Sequence, residues 1–268
     1  MSKQVRHILS LSGGKDSSAL AVYMRDRIPQ MEYVFCDTEK ELPETYDYLA
    51  RLEAYLGKPI TVLKHDGRDF DHWLHVYGGY LPSPQMRWCT RHLKLEPFEK
   101  FVRDDPVMNH VGIRADEHRE GLISTLPNIK TVFPFKEDGI VKEDVLRILA
   151  EAGLGLPDYY RWRSRSGCYF CFFQQKIEWV GLMETHPKWF KLACQYEEET
   201  AHNGKCFYWS DERLRDLARP ERVAEIKADF AKRIELEKAR QPKRRLMDII
   251  GSFHIEDADN DACLICRL

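Results

Sequence analysis

Apolar residues come in short runs over the first half of the chain, and polar segments separate them. Residues 5–11 (VRHILSL) form a run with β-branched content that ends at Gly-Gly, the pattern of a buried strand entering a loop. Residues 17–27 (SSALAVYMRDR) carry apolar positions at helical spacing, with Pro29 just beyond. Residues 31–36 (MEYVFC) predict a second strand. Residues 44–55 predict a second helix, with Pro43 at its start. Residues 59–63 (PITVL) predict a third strand, and residues 109–113 and 130–133 two more. This alternation implies parallel βαβ units with ligands at the carboxyl ends of the strands. After about Leu156 the strand-like runs stop, and residues 178–201 and 211–240 read as charged helices. The expected fold is therefore α/β, with a mostly parallel central sheet and a helical C-terminal subdomain. The expected division is 1–156 for the α/β domain, 157–245 for the helical subdomain and 246–268 for a flexible tail.

The 268 residues hold 41 Lys and Arg against 43 Asp and Glu, a net charge of −2, and 43% are hydrophobic. That composition supports a core and excludes a disordered or fibrous chain. The near-zero charge argues against coating nucleic acid or anionic membrane by bulk electrostatics. The first residues, MSKQVRHILSLSGGKDSS, hold no apolar leader core, and no stretch approaches the roughly 18 apolar residues of a membrane span. The expected location is cytoplasmic, with no membrane contact. There structural disulfides are rare, so the eight cysteines point to metal binding or sulfur chemistry.

Ser12-Gly13-Gly14-Lys15-Asp16-Ser17 lies between the first strand and the first helix. Two glycines let the backbone turn tightly and aim N–H groups at an anion, and the helix adds its positive dipole end. Ser12, Lys15 and Ser17 add hydroxyls and a cation, and Asp16 can help hold Mg²⁺ on phosphate oxygens. The spacing is not that of Walker A. The hexapeptide in the first βα turn predicts nucleotide binding.

This loop resembles the PP-loop of N-type ATP pyrophosphatases, the superfamily that includes PAPS reductases, thiouridine synthetases and GMP synthetase. Further matches to PAPS reductase-like proteins follow in order: Cys36-Asp37-Thr38 with Pro43-Glu44-Thr45, Arg87-Trp88-Cys89-Thr90 with Leu93-Lys94 and Pro97, and Gly112 to Glu117 with Arg119. The resemblance spans about residues 5–195. It implies a sheet of the adenine nucleotide alpha-hydrolase-like type, with ATP and Mg²⁺ on Ser12–Ser17, Asp37 near the nucleoside, and Arg114 available to the phosphates or adenylate. Assimilatory reductases typically alter the loop, so the intact SGGKDS favours an ATP-dependent member. The nearest resemblance is to the DNA phosphorothioation proteins of the DndC and SspD types. It implies adenylation of an acceptor and entry of sulfur into DNA, with Lys15, Asp16 and Arg114 in catalysis. Alternatives are a thioredoxin-linked PAPS or APS reductase, a tRNA-thiolating enzyme, and a non-enzymatic nucleotide sensor.

The resemblance also carries Cys89, Cys168 and Cys171 as ligands of a [4Fe–4S] cluster, with Cys206 preferred over Cys194 as the fourth because Asn203-Gly204 loops around it. A structural Zn²⁺ is the alternative for the same residues. Cys36 and Cys194 read more simply as packing residues. The tail pair Cys263/Cys266 is expected to include a sulfur-transferring nucleophile, or else to be a dispensable clip. Arg161, Arg163 and Arg165 alternate with Trp162 after Tyr159-Tyr160, and Arg87, Arg91, His92 and Lys94 surround Cys89. Such segments suit DNA or a DNA-modifying complex, ATP phosphates, or carboxylate pairing. A cysteine desulfurase is the expected sulfur donor.

Overall fold

The structure is a computed structural model, and it describes residues 4–118, 124, 126–199 and 212–240. Five strands, β1 (Arg6–Leu11), β2 (Glu32–Cys36), β3 (Ile60–Leu63), β4 (Val107–His110) and β5 (Ile129–Val132), form one all-parallel sheet in the order β3-β2-β1-β4-β5. β1 is central, with Leu9 registered against Tyr33 on one side and His110 on the other. The order turns outward on both sides of β1, so the carboxyl end of β1 lies at the switch point where α/β sheets bind ligands.

Strand alternation divides the core into two layers. Leu9, Leu11, Tyr33 and Phe35 face a cluster built with Leu20, Leu52 and Val145. These belong to α1 (Lys15–Met24), α2 (Pro43–Leu56) and α7 (Lys142–Glu151). Ile8, Val34 and Cys36 face the opposite layer with Phe98 and Val102 of α5 (Glu96–Val102). The strands are apolar on both faces, as a covered parallel sheet requires. α2 begins with Pro43, whose missing N–H costs nothing there, and stops at Gly57 in the left-handed region, φ 64°.

Three segments add helices that the pattern of residues did not predict. α3 (Phe70–Val76) is capped by Asp69, whose carboxylate accepts the His72 N–H at 2.9 Å. α4 (Trp88–Thr90) runs through a π-helical turn, Arg91–Leu95, into α5. α7 follows the short α6 (Pro134–Glu137). The predicted helix over 178–201 is two helices, α8 (Lys176–Thr185) and α9 (Pro187–Glu199), split where Pro187 removes a donor. The predicted helix over 211–240 is α10 (Leu214–Leu217) and α11 (Pro220–Arg240). A third apolar cluster joins Trp179, Leu182, Phe190 and Leu214 to Phe70, Trp73, Trp88 and Leu93. The core of the C-terminal helices therefore draws residues from both sides of residue 156. Among the described residues, no helix is long and apolar enough to cross a membrane.

Candidate functional site

The Ser12–Ser17 loop sits at the carboxyl end of β1, and Lys15 opens α1. Gly13 has φ 71°, and a Cβ there would lie 2.5 Å from Thr45 Cγ2. A Cβ on Gly14 would lie 2.7 Å from Ser166 Oγ. The turn is therefore closed to side chains by its backbone angle at one glycine and by its neighbours at both. Ser17 Oγ accepts the Ser12 N–H at 3.2 Å and lies 3.1 Å from Ser12 Oγ, while Ser12 Oγ accepts the Gly14 N–H at 3.3 Å. The hydroxyls thus shape the loop as well as lining it.

A distant segment completes it. Tyr159 donates its hydroxyl to Gly13 O at 2.7 Å, Tyr160 Oη accepts the Lys15 backbone N–H at 3.1 Å, and Ser166 Oγ donates to Ser12 Oγ at 3.1 Å. The Lys15 ammonium lies 5.3 Å from the centre of the Tyr160 ring, within cation–π range. Both tyrosines were visible in the sequence as aromatics beside arginines. Ser166 gave no signal of its own, because a serine between Arg165 and Gly167 has many uses.

Arg114 stands differently from the expectation of a phosphate ligand. It is wholly buried and pairs with Asp16 at 2.8 Å, Asp116 at 3.0 Å and Glu117 at 3.0 Å. Burial works against its charge, but Asp16 and Glu117 more than offset that and hold the guanidinium above its ordinary value. Arg114 is thus a positioning residue for Asp16. Asp16 in turn faces two cations, Arg114 and, at 3.5 Å, Lys15. Its carboxylate is engaged in the protein rather than turned to a metal, so the arrangement does not fit Asp16 as a Mg²⁺ ligand. Gly112 lets the strand end approach, since a Cβ there would lie 2.9 Å from Asp16 O.

Asp37 follows β2 and is nearly buried. Its Oδ1 accepts the Glu39 N–H and the Tyr46 hydroxyl, both at 2.8 Å, and Lys64 Nζ lies 3.3 Å from Oδ2. Thr38 donates to Glu41 Oε1 at 3.1 Å and lies 3.1 Å from Cys168 Sγ. Glu41 escaped the sequence reading because nothing but tertiary contact marks it. Burial pushes its carboxyl up, opposed by Lys94 and Arg163.

Cys89, Cys168 and Cys171 line one cavity of about 30 Å³ together with Lys94, Thr38 and Phe170. Cys89 arrives from α4, and the Cys168/Cys171 turn is held by Arg163, which donates to Gly167 O at 2.8 Å and Cys168 O at 2.9 Å. Burial, then Glu41, pushes the Cys168 thiol well above its ordinary range. Three thiols on one apolar cavity suit iron–sulfur ligation by their donor chemistry and dry surroundings. As the side chains stand, no three His, Cys, Asp or Glu among the described residues close around a single metal ion. Cys36 is core, donating to Lys94 O at 3.5 Å, with its thiol pushed up to about 11 by burial. Cys194 packs against the third cluster, as expected of a packing residue. Cys206, Cys263, Cys266 and Arg119 lie outside the described residues.

Comparison with known proteins adds to this geometry. Residues 6–134 match the family model described as the phosphoadenosine phosphosulfate reductase domain. An uncharacterized protein of Methanocaldococcus jannaschii is 27% identical over 214 residues, 73% of this chain and 42% of that protein. The chain thus spans less than half the length of that relative. The tRNA-specific 2-thiouridylase of Levilactobacillus brevis is 22% identical over 218 residues, 68% of this chain and 56% of that enzyme. Among solved structures, a PAPS reductase from Candida auris aligns with TM-score 0.48 and 15% identity, covering 62% of this chain and 82% of that one. A U34-tRNA thiolase from Methanococcus maripaludis, solved with its [4Fe–4S] cluster, aligns with TM-score 0.42 and 16% identity, covering 76% and 75%.

Proposed function

We propose, from the match of residues 6–134 to the phosphoadenosine phosphosulfate reductase domain, that this chain belongs to the PP-loop superfamily and is an ATP pyrophosphatase-type sulfurtransferase. It adenylates an oxygen of its acceptor and supports replacement of that oxygen by sulfur. The acceptor we assign is the DNA backbone phosphate, with sulfur supplied by a cysteine desulfurase partner. The observation that carries the reading is the intact Ser12–Ser17 loop at the switch point of the sheet, joined through residues 159–168 to the cavity of Cys89, Cys168 and Cys171.

The acceptor oxygen attacks the α-phosphorus of ATP, and pyrophosphate leaves with the bridging oxygen. The desulfurase's persulfide sulfur is reduced by two electrons from a thiol reductant, which leaves as a disulfide, and the resulting sulfide-level sulfur displaces AMP, which departs with the acceptor's oxygen. The N–H groups at the start of α1 and the Lys15 ammonium stabilise the charge that grows on the leaving pyrophosphate. Arg114 holds Asp16 in place beside Lys15. Mg²⁺ would be carried by the phosphate oxygens and add positive charge there. Cys89, Cys168 and Cys171 would hold a [4Fe–4S] cluster, with Cys206 as its fourth ligand. Cys263 or Cys266 would pass sulfur toward the acceptor.

Anaerobically purified protein, incubated with ATP–Mg²⁺ and DNA, is expected to release pyrophosphate only when the acceptor is present. With a cysteine desulfurase, cysteine and a thiol reductant it is expected to leave sulfur in the DNA. Pyrophosphate release driven by tRNA instead would move the acceptor to tRNA, the substrate class in the name of the 2-thiouridylase relative. Sulfite from PAPS, with no pyrophosphate from any acceptor, would make the chain a reductase. Iron and acid-labile sulfide should be present in the wild type and lost in Cys168→Ala; stoichiometric zinc would refute the cluster. Full sulfur transfer after changing both Cys263 and Cys266 to Ser would remove the tail pair from the mechanism.

A further inference from the structure

The proposed reaction gives Tyr160 no role, yet its hydroxyl oxygen accepts the Lys15 N–H at 3.1 Å. That N–H belongs to the first residue of α1, one of the donors a helix directs past its N-terminus toward an anion. It carries one proton. The hydroxyl of Tyr160 and a phosphate oxygen seated on the loop therefore compete for the same donor.

Tyr160 is also wired to the thiols. It sits in the 3₁₀ turn Asp158–Arg161, where the Trp162 and Arg163 N–H groups close onto Tyr159 O at 3.1 and 2.9 Å. Arg163 then holds the carbonyls of Gly167 and Cys168. Ser166 touches Ser12 two residues before Cys168. One segment of eleven residues, 158–168, thus contacts the phosphate loop at three points and shapes the cysteine turn at its far end.

We propose that Tyr160 is a positioning residue that a bound phosphate displaces from the Lys15 amide, so that filling the phosphate loop shifts residues 158–168 and with them the Cys168/Cys171 turn. This rests on the ATP-binding reading of the loop, but on neither DNA as acceptor nor the identity of the group held by the cysteines. The exchange is of hydrogen bonds alone: Lys15 N–H passes from the tyrosine oxygen to a phosphate oxygen. No covalent bond changes. The consequence is order, since the thiols are rearranged only after the nucleotide has arrived.

Inorganic pyrophosphate is the probe, because it fills the loop without a nucleoside. Amide hydrogen exchange on the whole wild-type chain should show residues 12–18 protected by pyrophosphate and residues 158–168 exchanging faster. Tyr160→Phe keeps the ring under Lys15 and beside Tyr159 and removes only the competing oxygen. It should bind pyrophosphate about 2- to 10-fold more tightly by calorimetry, the size of one neutral hydrogen bond. Its 158–168 segment should exchange fast without ligand and change little with it. A wild type whose 158–168 segment ignores bound pyrophosphate overturns the proposal, as does a Tyr160→Phe affinity equal to or weaker than wild type. A wild type in which neither pyrophosphate nor ATP–Mg²⁺ protects residues 12–18 overturns the ATP-binding reading as well.

Discussion

Arg114 pairs with three carboxylates, Asp16, Asp116 and Glu117. It is fully buried, and its partners Asp16 and Glu117 are nearly so. Replacing one member of such a cluster leaves the others charged and uncompensated, which costs more than the cluster contributes. Arg114→Met is therefore expected to lower stability by about 3–5 kcal/mol in urea unfolding. An Arg114→Met protein of wild-type stability that had lost only activity would make the guanidinium a phosphate ligand after all. Gly14 works in the opposite way, by having nothing. Gly14→Ala would press a methyl against Ser166 Oγ and Ser12 Oγ. It should weaken ATP binding by at least about tenfold, a loss of order 1.4 kcal/mol, with the melting temperature little changed, because its φ of −97° suits alanine. Both residues were legible as motif members. The role of Arg114 was not, because a motif names a residue without saying which carboxylates surround it.

Secondary structure elements explain why neighbouring positions tolerate so little change. α8 crosses Trp162 at Gly181, where a Cβ would lie 2.8 Å from Trp162 Cβ. Alanine normally gains about 1 kcal/mol over glycine inside a helix. Here overpacking reverses the sign, and Gly181→Ala is expected to destabilise by about 1–3 kcal/mol, measured by thermal unfolding. The π-helical turn Arg91–Leu95 shifts the helical face just after Cys89 and Thr90. Single-turn π segments recur at functional sites, and this one follows the cavity cysteine Cys89 and contains the cavity lysine Lys94. Every sheet strand announced itself by an apolar run, although β4 spans Val107–His110 where residues 109–113 were expected, because Gly112 and Ile113 follow the strand into the turn toward Arg114. α3, α4 and α7 did not, because polar residues punctuate them and their apolar faces are set by what they cover.

At the scale of the whole molecule, the sheet is tied across β1 and β4 by a histidine pair, half-buried at His7 and buried at His110. His7 Nδ1 lies 3.1 Å from His110 Nε2, with the rings stacked at 5.3 Å. Burial first, and His7 second, push His110 down to about 4 from its ordinary 6.5. The folded state thus favours the neutral ring. Stability is fully present above pH 6.5 and is lost as the pH falls from 6.5 to about 4, where the unfolded chain binds a proton the folded one resists. The loss should be of order 2–3 kcal/mol, and it should disappear in His110→Gln when unfolding is compared at pH 7 and 4.5. A wild-type curve that is flat over this range would show that the pair opens to water.

The sequence by itself determined what local chemistry can encode. Strand runs of alternating or continuous apolar residues specified a parallel sheet, and the glycine pair between strand and helix specified a tight turn into α1. Only the tertiary structure decided which residues meet across long separations. It brought Tyr159, Tyr160 and Ser166 onto a loop nearly 150 residues earlier, and it set Cys89 beside Cys168 and Cys171. It turned Arg114 inward to three carboxylates. The physical reason is the same in each case. Periodicity and turn propensity act over a few residues, whereas hydrogen bonds and ion pairs between distant segments depend on how the buried faces of the sheet and helices pack.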